Sequence, residues 1–147
     1  MAHFLTCINL TRDRSLNWEL CKQSSLLGIA NRVAHEALRS VSPGDVIYVW
    51  KTGGPRHGGG LLARPQALSK PRLMNGSEPW EDRRLYGCTI PFTLTHEANA
   101  PVFDSFPDNG PNRLGIENGW VTRSWAAIQS HATVTAIETE LRTSIAG

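Results

Sequence analysis

The chain has 147 residues, 40% of them hydrophobic and 19% charged, with a formal net charge of +2. That is enough chain for one domain with a real core, spanning 1–147, and too little for two. Apolar and charged content are those of a soluble globular protein, and no apolar run reaches membrane-spanning length.

The net charge hides an asymmetry. Residues 1–84 carry twelve Lys/Arg against seven Asp/Glu, whereas residues 85–147 carry three against six. The cationic half suggests a surface that faces a polyanion, although weaker than that of a dedicated charge-driven DNA binder. Chance clustering on a solvated surface is the ordinary alternative. The N-terminus lacks a charged-then-apolar signal pattern, which gives the expectation of a cytoplasmic protein. Cys7, Cys21 and Cys88 are odd in number, far apart and without zinc-ligand spacing. They read as free, buried thiols in a reducing compartment.

In chain order, His3 to Ile8 is apolar almost throughout and reads as a central strand. Asn9 to Arg14 is a polar exit loop, and Ser15 is placed to cap a short helix over Leu16 to Gln23. Ser24 to Ala30 reads as a connection holding Gly28. A second helix is expected over Asn31 to Ser40, with Val33, Ala37, Leu38 and Val41 as its apolar stripe. Pro43-Gly44 ends it, and Val46 to Trp50 is a buried strand.

Then the hydrophobicity stops. Lys51 to Gly60 holds five glycines, two fixed cations and a histidine, before a strand restarts over Gly60 to Ser69. Pro71 to Asp82 is a loop around Asn75-Gly76 and Trp80. Leu85 to Thr95 is a long strand in which Pro91 implies an edge, bulge or break. Ala98 to Gly119 is rich in proline, glycine and asparagine and reads as loop with a short piece at Val102-Phe103, and Gly119-Trp120-Val121 starts the approach to a last strand or helix. Ser124 is a candidate cap for a helical segment over Trp125 to Gln129. Val134, Ile137 and Leu141 repeat at helical spacing, with Thr135 and Glu138 in capping-box positions. The order predicts an α+β fold with a curved, mainly antiparallel sheet of five to six strands flanked by helices.

No catalytic motif stands out. Cys88 sits inside a strand as a structural thiol, and His35-Glu36 lacks the second histidine of a zinc protease. Lys51-Thr52 precedes the glycines instead of following them, so the loop is no P-loop. No catalytic residue, cofactor or metal is expected. Binding has more to offer. An aromatic at the rim of a core beside a cationic loop suits an anionic ligand with a flat ring, such as a nucleotide. Trp18, Trp50 and Trp80 fall at element ends, where an indole can face a pocket, whereas Trp125 reads as core. Asn17 could read a base edge, or make only a local helix-start hydrogen bond.

The strand HFLTCINL, then Asn17-Trp18, Leu27-Gly28-Ile29 and Arg32, form the start of a longer pattern. It continues through Val41-Ser42-Pro43-Gly44-Asp45 before IYVW, Gly60 opening the next strand, and Pro79-Trp80 before LYGCTIPFTL. Over about residues 3–140 this order resembles the EVE domain of the PUA-like superfamily, which is similar to the YTH readers of methylated RNA. The PRHGGG stretch and the loop Ala98 to Gly119 depart from the compact family pattern. The resemblance implies a curved β-barrel with a pocket in which a flipped, modified base lies in a cage of aromatic and apolar side chains. It places Asn17 and Trp18 on one wall, and Trp50, Lys51, Thr52 and Gly53 on another, with Trp80 beside them.

These features together read as a non-enzymatic reader of a methylated or hydroxymethylated cytosine, or of methylated adenine, with DNA ahead of RNA as partner. Trp18 and Trp50 are expected to sandwich the ring. Arg12, Arg14, Lys51, Arg56, His57, Arg64, Lys70 and Arg72 are expected to hold phosphates. The family also occurs fused to nucleases, so a targeting module of a modification-dependent restriction system is part of this expectation. Rival readings are an ASCH-like ribonuclease or nucleoside hydrolase using Lys51 or His57 with a carboxylate, and a protein-interaction module.

Overall fold

The computed structural model describes residues 1–8, 17–53, 59–80 and 86–146. Strand β1 (His3–Ile8) is followed by helix α1 (Asn17–Ser24), β2 (Leu26–Ala30), a single 3-10 turn (Asn31–Val33) and α2 (Ala34–Ser40). Next come β3 (Val46–Lys51), β4 (Gly60–Ala67), the two-residue β5 (Arg72–Leu73) and the 17-residue β6 (Tyr86–Val102). Helix α3 (Asn118–Arg123), β7 (Trp125–Ala127) and α4 (His131–Ala146) close the chain. The exit loop after β1 and the Ser15 cap lie outside the described residues.

The strands form one curled sheet in the order β2-β6-β4-β3-β1-β7, with β5 paired to β6. This is the expected α+β half-barrel, with two differences. It has seven strands, and β1 runs parallel to β3 while the other pairs are antiparallel. The long β6 makes the curl. Its first half pairs with β2 and its second half with β4, and Pro91 lies at the changeover. A proline gives no ladder N–H, and a strand that swaps partners at that residue has least need of one. On the open side β1 and β2 come into contact without pairing. That seam is where the barrel fails to close.

The Ser-Pro-Gly-Asp turn pins three elements together. The Asp45 carboxylate accepts from the backbone N–H of Ser42 at 2.8 Å and of Ala2 at 3.0 Å. Gly44 has φ of +90°, which suits glycine. Its N–H donates to Ala67 O at the end of β4, and the Ala67 N–H donates back to Asp45 O, both at 2.8 Å.

Period-2 alternation splits the core into two. Phe4, Ile8, Ile47 and Val49 face α1 and α2, where they meet Trp18, Cys21, Val33 and Ala37. Leu5, Cys7, Val46, Tyr48 and Trp50 face the opposite way, toward Leu114, Ile116 and the Ile137/Leu141 stripe of α4. All three cysteines are free and buried. Among the described residues no helix is long and apolar enough to cross a membrane.

Several local expectations need correction. The segment around Gly28 is not a connection but strand β2. Glycine there serves close packing, because a Cβ would stand 2.8 Å from the Tyr86 ring and 2.9 Å from the Trp80 indole. Ser124 is not an N-cap; it ends α3 in a left-handed conformation with φ of 73°, and Trp125 continues as strand. Helix α4 starts four residues before Thr135. Ser130 is its cap, with its hydroxyl accepting from the Thr133 N–H at 3.3 Å. Glu138 is drawn instead into a pair with Arg64. The proline-rich stretch also contributes strand as far as Val102, and helix α3.

Candidate functional site

The three tryptophans expected at the ligand are structural in their surroundings. Trp18 is 5% exposed, stacks on Phe92 at 6.2 Å and donates its indole N–H to Glu97 Oε2 at 2.7 Å. Lys22 pairs with the same carboxylate at 3.0 Å and sits 5.9 Å above the indole. Trp50 is 1% exposed and packs against Phe103 and Phe106. Trp80 is 2% exposed, with its ring centroid 4.8 Å from that of Tyr86. Trp18 belongs to the core on the α1/α2 face and Trp50 to the core on the α4 face. The expected sandwich of one ring between them is therefore not formed, because the β3 alternation turns Trp50 away from Trp18.

The other expected residues divide three ways. Asn17 opens α1, but its side chain is outside the described residues, as are Arg12, Arg14, Arg56 and His57. Arg64 is engaged: its Nε donates to Glu138 Oε1 at 2.8 Å and its Nη1 to Thr95 Oγ1 at 2.9 Å. Lys51 is half-buried at the end of β3, whereas Lys70 and Arg72 are exposed around β5. Gly53 is exposed with φ of +118°, and Gly59 lies so close to its carbonyl that the two ends of the glycine loop touch. Thr52 leaves β3 with both its N–H and its hydroxyl donating to Ile8 O, at 3.0 and 3.2 Å.

Thr52 is also the expected site residue that reaches a real pocket. The seam holds a cavity of about 190 Å³. Cys7 of β1 and Thr52 form one side, and Ala30 of β2 with Tyr86 of β6 form another. Val121, Thr122 and Ser124 close it from α3, and Arg32 stands at the junction. Pockets for drug-sized ligands run to roughly 300–1,000 Å³, so this one has room for a single ring, not for a whole nucleotide. Tyr86 is the one aromatic ring among its described lining residues, so the multi-ring cage implied by the resemblance is not assembled from Trp18, Trp50 and Trp80.

Arg32 organises the site. It lies in the 3-10 turn that follows β2, and its side chain crosses the seam to the end of α3. Nη2 donates to Thr122 O at 2.5 Å and to Ser124 Oγ at 3.2 Å, and Nε donates to Arg123 O at 3.3 Å. A guanidinium there caps carbonyls that the helix leaves unpaired, at its negative end. A second tie joins the Arg123 guanidinium to the Glu36 carboxylate of α2. Behind the pocket, the Cys7 thiol donates to Val121 O at 3.5 Å. Burial pushes its pKa up to about 12, against weaker opposing effects of the Ser124 hydroxyl and Arg32. It is a neutral thiol, unsuited to nucleophilic attack.

A broader groove of about 530 Å³ runs along the start of β1 and α4, past His3, Ser40, Gln129 and His131. No lysine or arginine is among its described lining residues, whereas Arg32 lines the seam. Among the described residues no group of three or more His, Cys, Asp or Glu could hold a metal ion.

Sequence reasoning missed most of this pocket. Arg32, Tyr86 and Cys7 had entered only as members of a family pattern, with Cys7 also read as a buried thiol, and none of them as a site residue. Ser124 was given the wrong helix. Nothing local in the sequence announces that the end of α3 folds across the seam. The chain matches no family model and no curated protein.

Proposed function

We propose that the chain is a non-enzymatic binder of nucleic acid that takes one modified base, flipped from its strand, into the seam pocket. The observation that carries this reading is the pocket itself: room for one ring, a tyrosine in the lining, hydroxyls at Thr52 and Ser124, and a fixed cation at Arg32. The fixed cation, with one aromatic ring beside it, disfavours a quaternary ammonium or methylated lysine as the ligand. The half-barrel agrees with the EVE-like resemblance, and the pocket lies next to the elements that carry Leu27-Gly28-Ile29 and Arg32. A methylated or hydroxymethylated cytosine in DNA is the leading ligand and methylated adenine the second.

Flipping costs a few kcal/mol, so phosphate contacts must supplement the pocket. Lys51, Lys70 and Arg72 are suitably placed at or near the surface, with Arg12, Arg14, Arg56 and His57 as further members. Arg64 is left out because its charge is already paired with Glu138 and its Nη1 is held by Thr95. Each phosphate contact should contribute roughly 0.9 to the slope of log affinity against log salt on duplex DNA.

The test is fluorescence anisotropy with labelled oligonucleotides carrying 5-methylcytosine, 5-hydroxymethylcytosine, N6-methyladenine or no modification, at two salt concentrations. A modified strand should bind more tightly, more weakly at higher salt, and without preference once Thr122→Trp fills the pocket from α3. Equal and feeble binding of all strands, unchanged by Thr122→Trp, refutes the reading.

A further inference from the structure

The donor inventory of Arg32 decides which ring the pocket prefers. A guanidinium offers five N–H donors in a rigid plane, accepts nothing and stays charged. Nε and Nη2 of Arg32 are held by the Thr122 and Arg123 carbonyls and the Ser124 hydroxyl. Those bonds fix the plane. Nη1 has no partner among the described residues, although Arg32 lines the pocket. Arg32 is itself exposed, so its free nitrogen is open to water, and a ring that covers Nη1 on entering the pocket displaces that water. A charged donor desolvated without an acceptor is costly, so a ligand that supplies acceptors there is selected.

We infer that Arg32 is the specificity-determining residue of the seam pocket, and that its Nη1 donors select a ring with adjacent acceptors on one edge, a cytosine-type keto pyrimidine over N6-methyladenine. This rests on the proposed one-ring reading. Cytosine presents O2 and N3 side by side with no donor between them. Its C5 position, where a methyl or hydroxymethyl group sits, is on the opposite side of the ring and stays clear of Arg32. Adenine places its N6 amino donor beside both N1 and N7. A methyl group on N6 adds bulk at the same edge. Cytosine too has an amino donor, N4, beside N3, but its O2 and N3 are neighbouring acceptors, whereas no two acceptors of adenine adjoin, N1 and N3 being separated by C2–H. A site built to hydrogen-bond a ligand group discriminates strongly against an analogue lacking it.

The test compares wild-type protein on single-stranded oligonucleotides carrying 5-methylcytosine, 2-thio-5-methylcytosine or N6-methyladenine at one position. Sulfur at position 2 is a poor acceptor in an otherwise similar ring. The keto ring should bind about tenfold or more tightly than either of the others, the scale of one charged hydrogen bond. Arg32→Met should erase that difference, whereas Arg39→Met, which removes the same charge from an exposed position on α2, should keep it. The 2-thio comparison needs no variant, so a folding defect in Arg32→Met does not blunt the test. Should the wild type bind modified strands yet ignore the 2-thio change or prefer N6-methyladenine, the inference falls and the one-ring reading stands. Binding that depends on no ring at all, unchanged by Thr122→Trp, overturns both.

Discussion

Gly28→Ala joins stability to the site more directly than any other single change. The added Cβ would stand 2.8 Å from Tyr86 Cγ and Cδ2, and 2.9 Å from Trp80 Cζ2. Ordinary contact begins at 3.4 Å, so both rings must withdraw by about half an ångström. Neither has room, since Tyr86 is 5% and Trp80 2% exposed. Overpacking of this kind costs about 1–3 kcal/mol, and replacing a strand glycine returns roughly 0.5–1 kcal/mol. A net loss of about 0.5–2 kcal/mol follows, or a fall of roughly 2–8 °C in Tm for a chain of this length. Tyr86 lines the seam pocket, so ligand affinity should fall as well. The assay is denaturant unfolding, in which the midpoint should drop with the m-value unchanged. Gly119→Ala is the internal control. It lies in α3 with nothing within 4 Å of the new Cβ, and helix propensity alone should make it neutral or stabilising by up to about 1 kcal/mol. An unchanged midpoint for Gly28→Ala, or an equal loss in Gly119→Ala, would refute the packing argument.

Other consequences can be checked alongside. Ser25 holds φ of 56° and is exposed after α1; Ser25→Gly should raise stability by about 1 kcal/mol, read as a higher Tm. Trp18→Phe removes the indole donor to Glu97 while keeping a ring against Phe92. It should cost about 1.5–3 kcal/mol while leaving oligonucleotide affinity unchanged, since Trp18 is not among the seam-lining residues; a selective loss of affinity would place it at the ligand after all. Acid should destabilise the fold in two stages. Burial lowers the pKa of His3 below 6.5, and Arg64 and Tyr48 hold Glu138 below 4.5 although burial alone would raise it. Both groups bind fewer protons folded than unfolded, so stability present above 6.5 declines as pH drops through the His3 range, and again below 4.5. Urea midpoints flat from pH 7 to about 4 would contradict this.

Much of the architecture was legible because it rests on local patterns. The apolar runs at His3–Ile8 and Val46–Trp50 are strands, and the Val33/Ala37/Val41 stripe is the buried side of a helix. The Pro-Gly-Asp turn has a mechanism visible in its residues, with glycine at positive φ and a carboxylate for backbone N–H groups. Pro91 correctly marked a break in pairing. Failures came where a residue answers to something distant. Gly28 looks like a chain breaker in isolation and is a strand residue beneath two rings. Ser124 looks like the cap of a downstream helix and instead terminates α3 upstream of it.

The sequence by itself determined the strands at His3–Ile8 and Val46–Trp50 and the helical stripes of α2 and α4, that five tryptophans and three thiols needed burial or a partner, and that cations gather in the first half. It could not determine which face each aromatic takes. Trp18 and Trp50 sit at similar element ends, yet they fall in different cores, because the docking of α1 on one side of the sheet and α4 on the other decides what each face meets. The pocket was likewise decided only by tertiary structure. It exists because β1 and β2 approach without pairing and α3, far along the chain, is tied across that gap by Arg32 and by bonds from β1. Closure of a half-barrel is a property of the whole sheet's curl, and no local stretch of residues encodes it.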